Sequence, residues 1–238
     1  MAIVLYDIAS TLGTTFSPNV AKTRYCLNVK KLRFTTVWLE YAEIAPLCKK
    51  IGAKPTSDDH YTLPVIYDPT TDTAIAGSLE IAFYLDSTYP ESVQLISPGT
   101  EALHYAFTDA FQALLAPLET YALPATLKVV NSTSQEYFDR TRGRRLGVER
   151  LADAIPVAGS DSDVASWKQF KGIFDHINGW FAKSGLYFGG DKLCYADITV
   201  AAYLRWIRLV LDKYRWEDIS GWHGGRWRRL MVEMERYE

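Results

Sequence analysis

His60-Tyr61-Thr62-Leu63-Pro64-Val65-Ile66-Tyr67-Asp68 is the stretch whose reading decides the fold. Its β-branched and aromatic residues suit a short strand, yet a proline is lodged inside it. Proline cannot donate to a sheet ladder, so it is confined to an edge strand, a strand start or a bulge. Around Leu63 and Pro64 the backbone then turns polar groups outward, as a cis bond would allow. Taken alone, the stretch also suits an ordinary edge strand, and its flanks must decide.

Residues 3–8 form a near-continuous apolar run of strand length, the pattern of a strand buried on both faces. After a polar loop comes Ser17-Pro18-Asn19. Serine is a favoured N-cap and proline a favoured first helical residue. Val20, Arg24, Leu27 and Leu32, with Lys22, Lys30 and Lys31 between them, then read as an amphipathic helix. Residues 34–39 are a second strand, 43–51 a short helix, 73–76 a fourth strand, and 78–85 begin another helix. The order is βαβαββα. A βαβ start demands a parallel pair with a right-handed crossover, and a hairpin with a helix completes a thioredoxin-like domain. Residues 90–99, with Pro90, Pro98 and Gly99, read as a linker between domains at 1–89 and 100–238. The second domain reads as all helix. The first of its helices should end near Pro117 or Pro124, and the second should span 135–154 with a basic middle.

The bulk numbers exclude several function classes. In 238 residues, 48% apolar and 23% charged, a net charge of −2 gives no field for nucleic acid. Basic clusters at Arg142–Arg145 and Arg226–Arg229 read as helix faces or ends, so no nucleic-acid partner is expected. Cys26, Cys48 and Cys194 are odd in number and widely spaced, which argues against disulfide and metal frameworks. No apolar run approaches the ~20 residues of a membrane span, and no basic leader opens the chain. A soluble, cytoplasmic protein without membrane partner is the expectation.

Ser17-Pro18, Leu63-Pro64 and Ser78 in this order, with the later Cys194-x-x-Asp197, resemble the glutathione transferase family over nearly the whole chain. Ser-Pro-Asn followed by Lys-Thr-Arg-Tyr, then Tyr-Thr-Leu-Pro-Val-Ile-Tyr-Asp, is most similar to its serine-containing fungal class, related to omega-type transferases and bacterial β-etherases. The resemblance implies glutathione as co-substrate, no other cofactor, and a homodimer. It implies that Pro64 is cis and that the Leu63 backbone receives the cysteinyl unit of glutathione. Ser17 would be the catalytic residue. A helix N-terminus stabilises a thiolate, and the Ser17 hydroxyl adds a hydrogen bond. Plain N-capping is the commoner use of such a serine. Ser78 would take the γ-glutamyl carboxylate at a helix start. His60 and Lys50 are candidates for the glycyl carboxylate, and Tyr6 is a weaker alternative activator. The family usually has an acidic residue before this serine, where this chain has Gly77. Gly77 would contribute backbone only.

Aromatic residues are dense in the helical half. Most are core, while Phe107, Phe111, Tyr121 and Trp206 are candidates for a hydrophobic co-substrate pocket. Cys194-x-x-Asp197 opens the central helix as a capping box in which a thiol replaces the usual hydroxyl, so Asp197 is structural. The expected activity is conjugation of glutathione to hydrophobic or aromatic electrophiles, as in detoxification of aromatic or wood-derived compounds. Carriage of polyphenolic ligands and β-etherase-like ether cleavage are the alternatives.

Overall fold

A computed structural model describes residues 2–183 and 185–238. The N-terminal part runs β1 (Ile3–Ile8), α1 (Pro18–Val29), β2 (Phe34–Leu39), α2 (Tyr41–Ile51), β3 (Val65–Asp68), β4 (Thr73–Ala76) and α3 (Ser78–Thr88). Its sheet has the order β2-β1-β3-β4. β1 and β2 are parallel, with Ile3 opposite Phe34, while β3 runs antiparallel to both β1 and β4. This is the thioredoxin-like arrangement that the order of elements demands.

Helices alone build the rest: α4 (Glu101–Ala113), α5 (Ala116–Leu127), α6 (Ser132–Leu146), a 3-10 turn (Leu151–Ala154), α7 (Asp161–Phe181), α8 (Tyr195–Val210) and α9 (Lys213–Glu235). The expected long first helix breaks at Leu114–Leu115, and Pro117 starts α5 while Pro124 sits inside it. The second stops at Gly147, whose left-handed φ of 72° caps α6. α8 is buried along most of its length. The Asp197 carboxylate caps its start, accepting from the Cys194 N–H at 2.8 Å and the Phe188 N–H at 2.7 Å.

Pro64 does not lie within a strand. The Leu63–Pro64 bond is cis and immediately precedes β3, which is an internal strand rather than an edge. The Pro64 carbonyl still accepts from the Gly77 N–H at 3.1 Å, ahead of the β3–β4 ladder.

Nor is α1 amphipathic. Packed between α3 and α8, it buries Lys22 and Lys30 as well as its apolar residues. Lys30 finds a carboxylate, with Nζ 2.8 Å from Asp86 on α3. Among the described residues Lys22 finds only the Tyr203 ring, 5.9 Å away, and burial pushes its ammonium down to about 8.

α2 is tied to α6 by Glu40. Its carboxylate accepts from Asn131 Nδ2 at 2.7 Å and from Ser134 Oγ at 2.5 Å. Desolvation pushes this carboxyl up, but hydrogen bonds from Asn131, Ser134 and Thr133 outweigh it, and its net shift is downward. A carboxyl depressed on folding stabilises fully above its unfolded value of 4.5 and loses that contribution as pH falls through the lower folded value. We expect the melting temperature to fall in that window by more in the wild type than in Glu40→Gln. Parallel acid-side melting curves for the two proteins would contradict this.

Candidate functional site

The site begins at the turn into α1. Ser17 is the N-cap residue, and its Oγ accepts from the Val20 N–H at 3.5 Å. That bond uses a lone pair of the hydroxyl. Among the described residues no acceptor takes its O–H, which remains available to donate. Pro18 has no N–H to satisfy, so the Asn19 N–H is the first backbone donor at this positive helix end.

Three anchors fix the loop ahead of Ser17. Thr15 Oγ1 donates to the fully buried Asp7 carboxylate at 2.5 Å, and Arg24 Nε donates to Thr15 Oγ1 at 2.7 Å. From α8, the buried Arg205 donates to the Thr15 carbonyl and to Thr14 Oγ1. Thr11 N–H donates to the Val129 carbonyl at 2.9 Å, which ties the loop to the end of α5. The helical half thus holds the position of Ser17 through Arg205, a role that sequence spacing does not reveal.

Ser17 opens onto a cavity of about 470 Å³ between the two halves. On one side stand Ser17, Asn19, His60, Tyr61 and Leu63. Among the described residues neither the N–H nor the C=O of Leu63 is hydrogen-bonded, although the residue is buried. Opposite stand Tyr41 from the start of α2, Leu123 from α5, Phe138 from α6, and Tyr203 and Trp206 from α8. Trp206 is oriented by its Nε1–H, which donates to Thr126 Oγ1 at 2.8 Å.

Not every expected residue is here. Pro64, Gly77 and Ser78 adjoin the wall through Leu63 and the Pro64–Gly77 bond. Ser78 is the first residue of α3, and no side chain among the described residues caps that helix. His60 lies on the rim, whereas Lys50 is exposed in the last turn of α2 and does not line the cavity. Tyr6 is buried in β1, between Val37 and Val65, and does not reach the site. Phe107, Phe111 and Tyr121 do not form the pocket. Phe107 packs on Phe111, Trp180 and Phe188, while Tyr121 packs on Trp167 and donates to Asp163 at 2.8 Å. Helical spacing marked them as inward-facing without showing which neighbours close over them.

Gly77 has a backbone reason. Its φ is +91°, a region that side-chain-bearing residues rarely adopt. Space is not the constraint, since an added Cβ would meet only Glu80 on α3, at 3.7 Å. Glu80 therefore sets a carboxylate-bearing side chain beside the position where the acidic residue is absent.

The protein's own thiols are poor nucleophiles. Desolvation pushes the buried Cys26 and Cys48 up, and pushes Cys194 up to about 12. Among the described residues no cluster of His, Cys, Asp or Glu could hold a metal ion. The helix end at Ser17 is thus a place to stabilise an anion that arrives from outside.

Residues 12–93 match the N-terminal domain of glutathione S-transferases, and residues 102–237 match their C-terminal domain. A glutathione S-transferase-like protein of Aspergillus flavus, ustS, is 33% identical over 94% of this chain and 87% of its own length. A glutathione S-transferase of Ceriporiopsis subvermispora, solved in complex with glutathione, superposes with a TM-score of 0.93 at 42% identity, covering 100% of this chain and 98% of the other. A glutathione transferase of Phanerochaete chrysosporium gives 0.91 at 33% identity, with the same coverage. On both domains, and over 94% of its length against the Aspergillus relative, the chain belongs to the glutathione S-transferase family.

Proposed function

We propose that the protein binds glutathione along Leu63, holds its sulfur as a thiolate at Ser17, and transfers that sulfur to an aromatic or hydrophobic electrophile. The observation that carries this is one cavity joining the Ser17 hydroxyl and the Leu63 backbone, the O–H of the first and both polar groups of the second without a partner among the described residues, to an aromatic wall. Two backbone bonds at Leu63 would seat the cysteinyl unit as an added strand residue. The Asn19 N–H, the α1 dipole and the Ser17 O–H all favour the charged form of the thiol, and the thiolate is the nucleophile. Ser17 donates a hydrogen bond and forms no covalent bond.

At the other end of the peptide, the uncapped start of α3 with Ser78 would receive the γ-glutamyl carboxylate. Glu80, whose side chain passes beside Gly77 and whose Oε1 already accepts from the Tyr105 hydroxyl at 2.6 Å, would hold the α-amino group with its other oxygen. His60 on the rim is the better placed of the two candidates for the glycyl carboxylate. We extend the proposal to a cytoplasmic homodimer, for which Leu103 on α4 offers an exposed apolar side chain. Among the described residues no helix is long and apolar enough to cross a membrane.

Conjugation of glutathione to chlorodinitrobenzene, measured beside thermal stabilisation by glutathione, tests this reading. We expect turnover, and at a hundredfold excess over Kd about 2.7 kcal/mol of added stability. Stabilisation by polyphenols without turnover would support carriage instead. No response to glutathione in either measurement would defeat the reading.

A further inference from the structure

The helical end of the cavity is charged as well as aromatic. α6 sends Arg142 and Arg145 to its wall, and α5 sends Glu119. Arg145 Nη2 and Glu119 Oε1 are 2.5 Å apart. Burial pushes the Glu119 carboxyl up while Arg145 pulls it back down. That carboxylate is consumed. Arg142 feels the same Glu119 carboxylate at longer range but makes no ion pair of its own among the described residues. Its polar contacts are Thr141 Oγ1, at 3.4 Å, and the Tyr41 side chain. Its guanidinium lies 5.5 Å from the Phe138 ring centre and 5.9 Å from that of Tyr41. Two guanidinium groups thus face one carboxylate at this end. The other lining carboxylate, Asp59, belongs to the exposed loop at the glutathione end.

A guanidinium carries five donors in a planar fork that matches a carboxylate. Where it is partly desolvated among aromatic rings, the charge-assisted pair is strong. Arg142 offers that fork within the same wall as Tyr203 and Trp206, which would take an aromatic ring. We propose that the electrophile this site is built for is an aromatic compound bearing a carboxylate, with the carboxylate on Arg142 and the ring against Trp206 and Tyr203. This rests on the transferase reading and narrows its substrate class. In the transfer, the glutathione sulfur forms a bond to the electrophilic carbon. The bond from that carbon to its leaving group breaks, and the leaving group departs with the electron pair.

The test compares binding of dinitrobenzoate with that of uncharged dinitrobenzene by calorimetry, with and without glutathione. In the wild type the benzoate should bind about tenfold more tightly or better. Arg142→Leu should bring the ratio close to one. Lost ring packing would weaken both probes alike, so the ratio isolates the charge. Glu119→Gln frees Arg145 and should raise the ratio. Equal affinities in the wild type, or a ratio that survives Arg142→Leu, would overturn the proposal. Turnover separates this from the parent reading. Conjugation of chlorodinitrobenzene without a benzoate preference keeps the transferase and defeats the carboxylate site. A benzoate preference without any glutathione turnover keeps the carboxylate site and defeats the transferase.

Discussion

Ser17→Ala should lower kcat/KM for glutathione conjugation by about 10- to 100-fold. A hydrogen bond to a charged group contributes about 1.5–3 kcal/mol, and here it would be made to the thiolate alone. The remaining rate would come from the α1 dipole and the Asn19 N–H, neither of which the substitution touches. Loss of the cap should cost stability only at the lower end of the usual ~0.5–2 kcal/mol range, because the Ser17–Val20 bond is long, at 3.5 Å. Rate and stability thus separate. Ser17→Thr keeps a hydroxyl and should recover most of the activity. An alanine variant with undiminished kcat/KM would remove Ser17 from the chemistry and leave it a helix cap.

Asp86→Ala should lower folding stability by about 3–5 kcal/mol, the cost of leaving one member of a buried ion pair alone. The side chain of Lys30 is 0% exposed, and without Asp86 its only hydrogen-bond partner among the described residues would be the Val93 carbonyl at 3.0 Å. Asp86 does more than neutralise it. Its carboxylate also accepts from the Leu95 N–H at 3.1 Å and the Ile96 N–H at 2.9 Å, which fastens the segment after α3 to α1. The double variant Lys30→Met with Asp86→Leu removes both charges and should recover part of the loss. It cannot recover all of it, because the two N–H groups would stay buried without partners. Denaturant unfolding of the three proteins checks this order. An Asp86→Ala loss below about 1 kcal/mol would show the pair to behave like a surface bridge.

Much of the architecture was legible because it is written in local signals. Ser17-Pro18 marks a helix start by capping chemistry, and the run at residues 3–8 marks a strand buried on both faces. The βαβ start then leaves little choice of topology. What escaped is decided by neighbours distant in the chain. Lys22 and Lys30 look like a solvated face until α3 and α8 pack on α1. The arginines of α6 look the same until α2 and α5 meet them across the cavity. Pro64 carries the cis bond, although it stands before its strand and not within it. The site is therefore readable where one helix end makes it, at Ser17. It is unreadable where three helices converge, at Tyr41 of α2, Phe138 and Arg142 of α6, and Tyr203 of α8.

The central claim is that Ser17 and the start of α1 hold glutathione as its thiolate, and titrating the bound thiol by its ultraviolet absorbance tests this most directly. A free thiol of this kind has a pKa of about 8.5. In the wild-type complex the account predicts a value at least about one unit lower, which raises the thiolate fraction at neutral pH severalfold. In Ser17→Ala the value should move back up by about one unit or more, since each unit is about 1.36 kcal/mol of preference for the charged form. A bound thiol that titrates like the free one in the wild type, or at the same pH in both proteins, would contradict it.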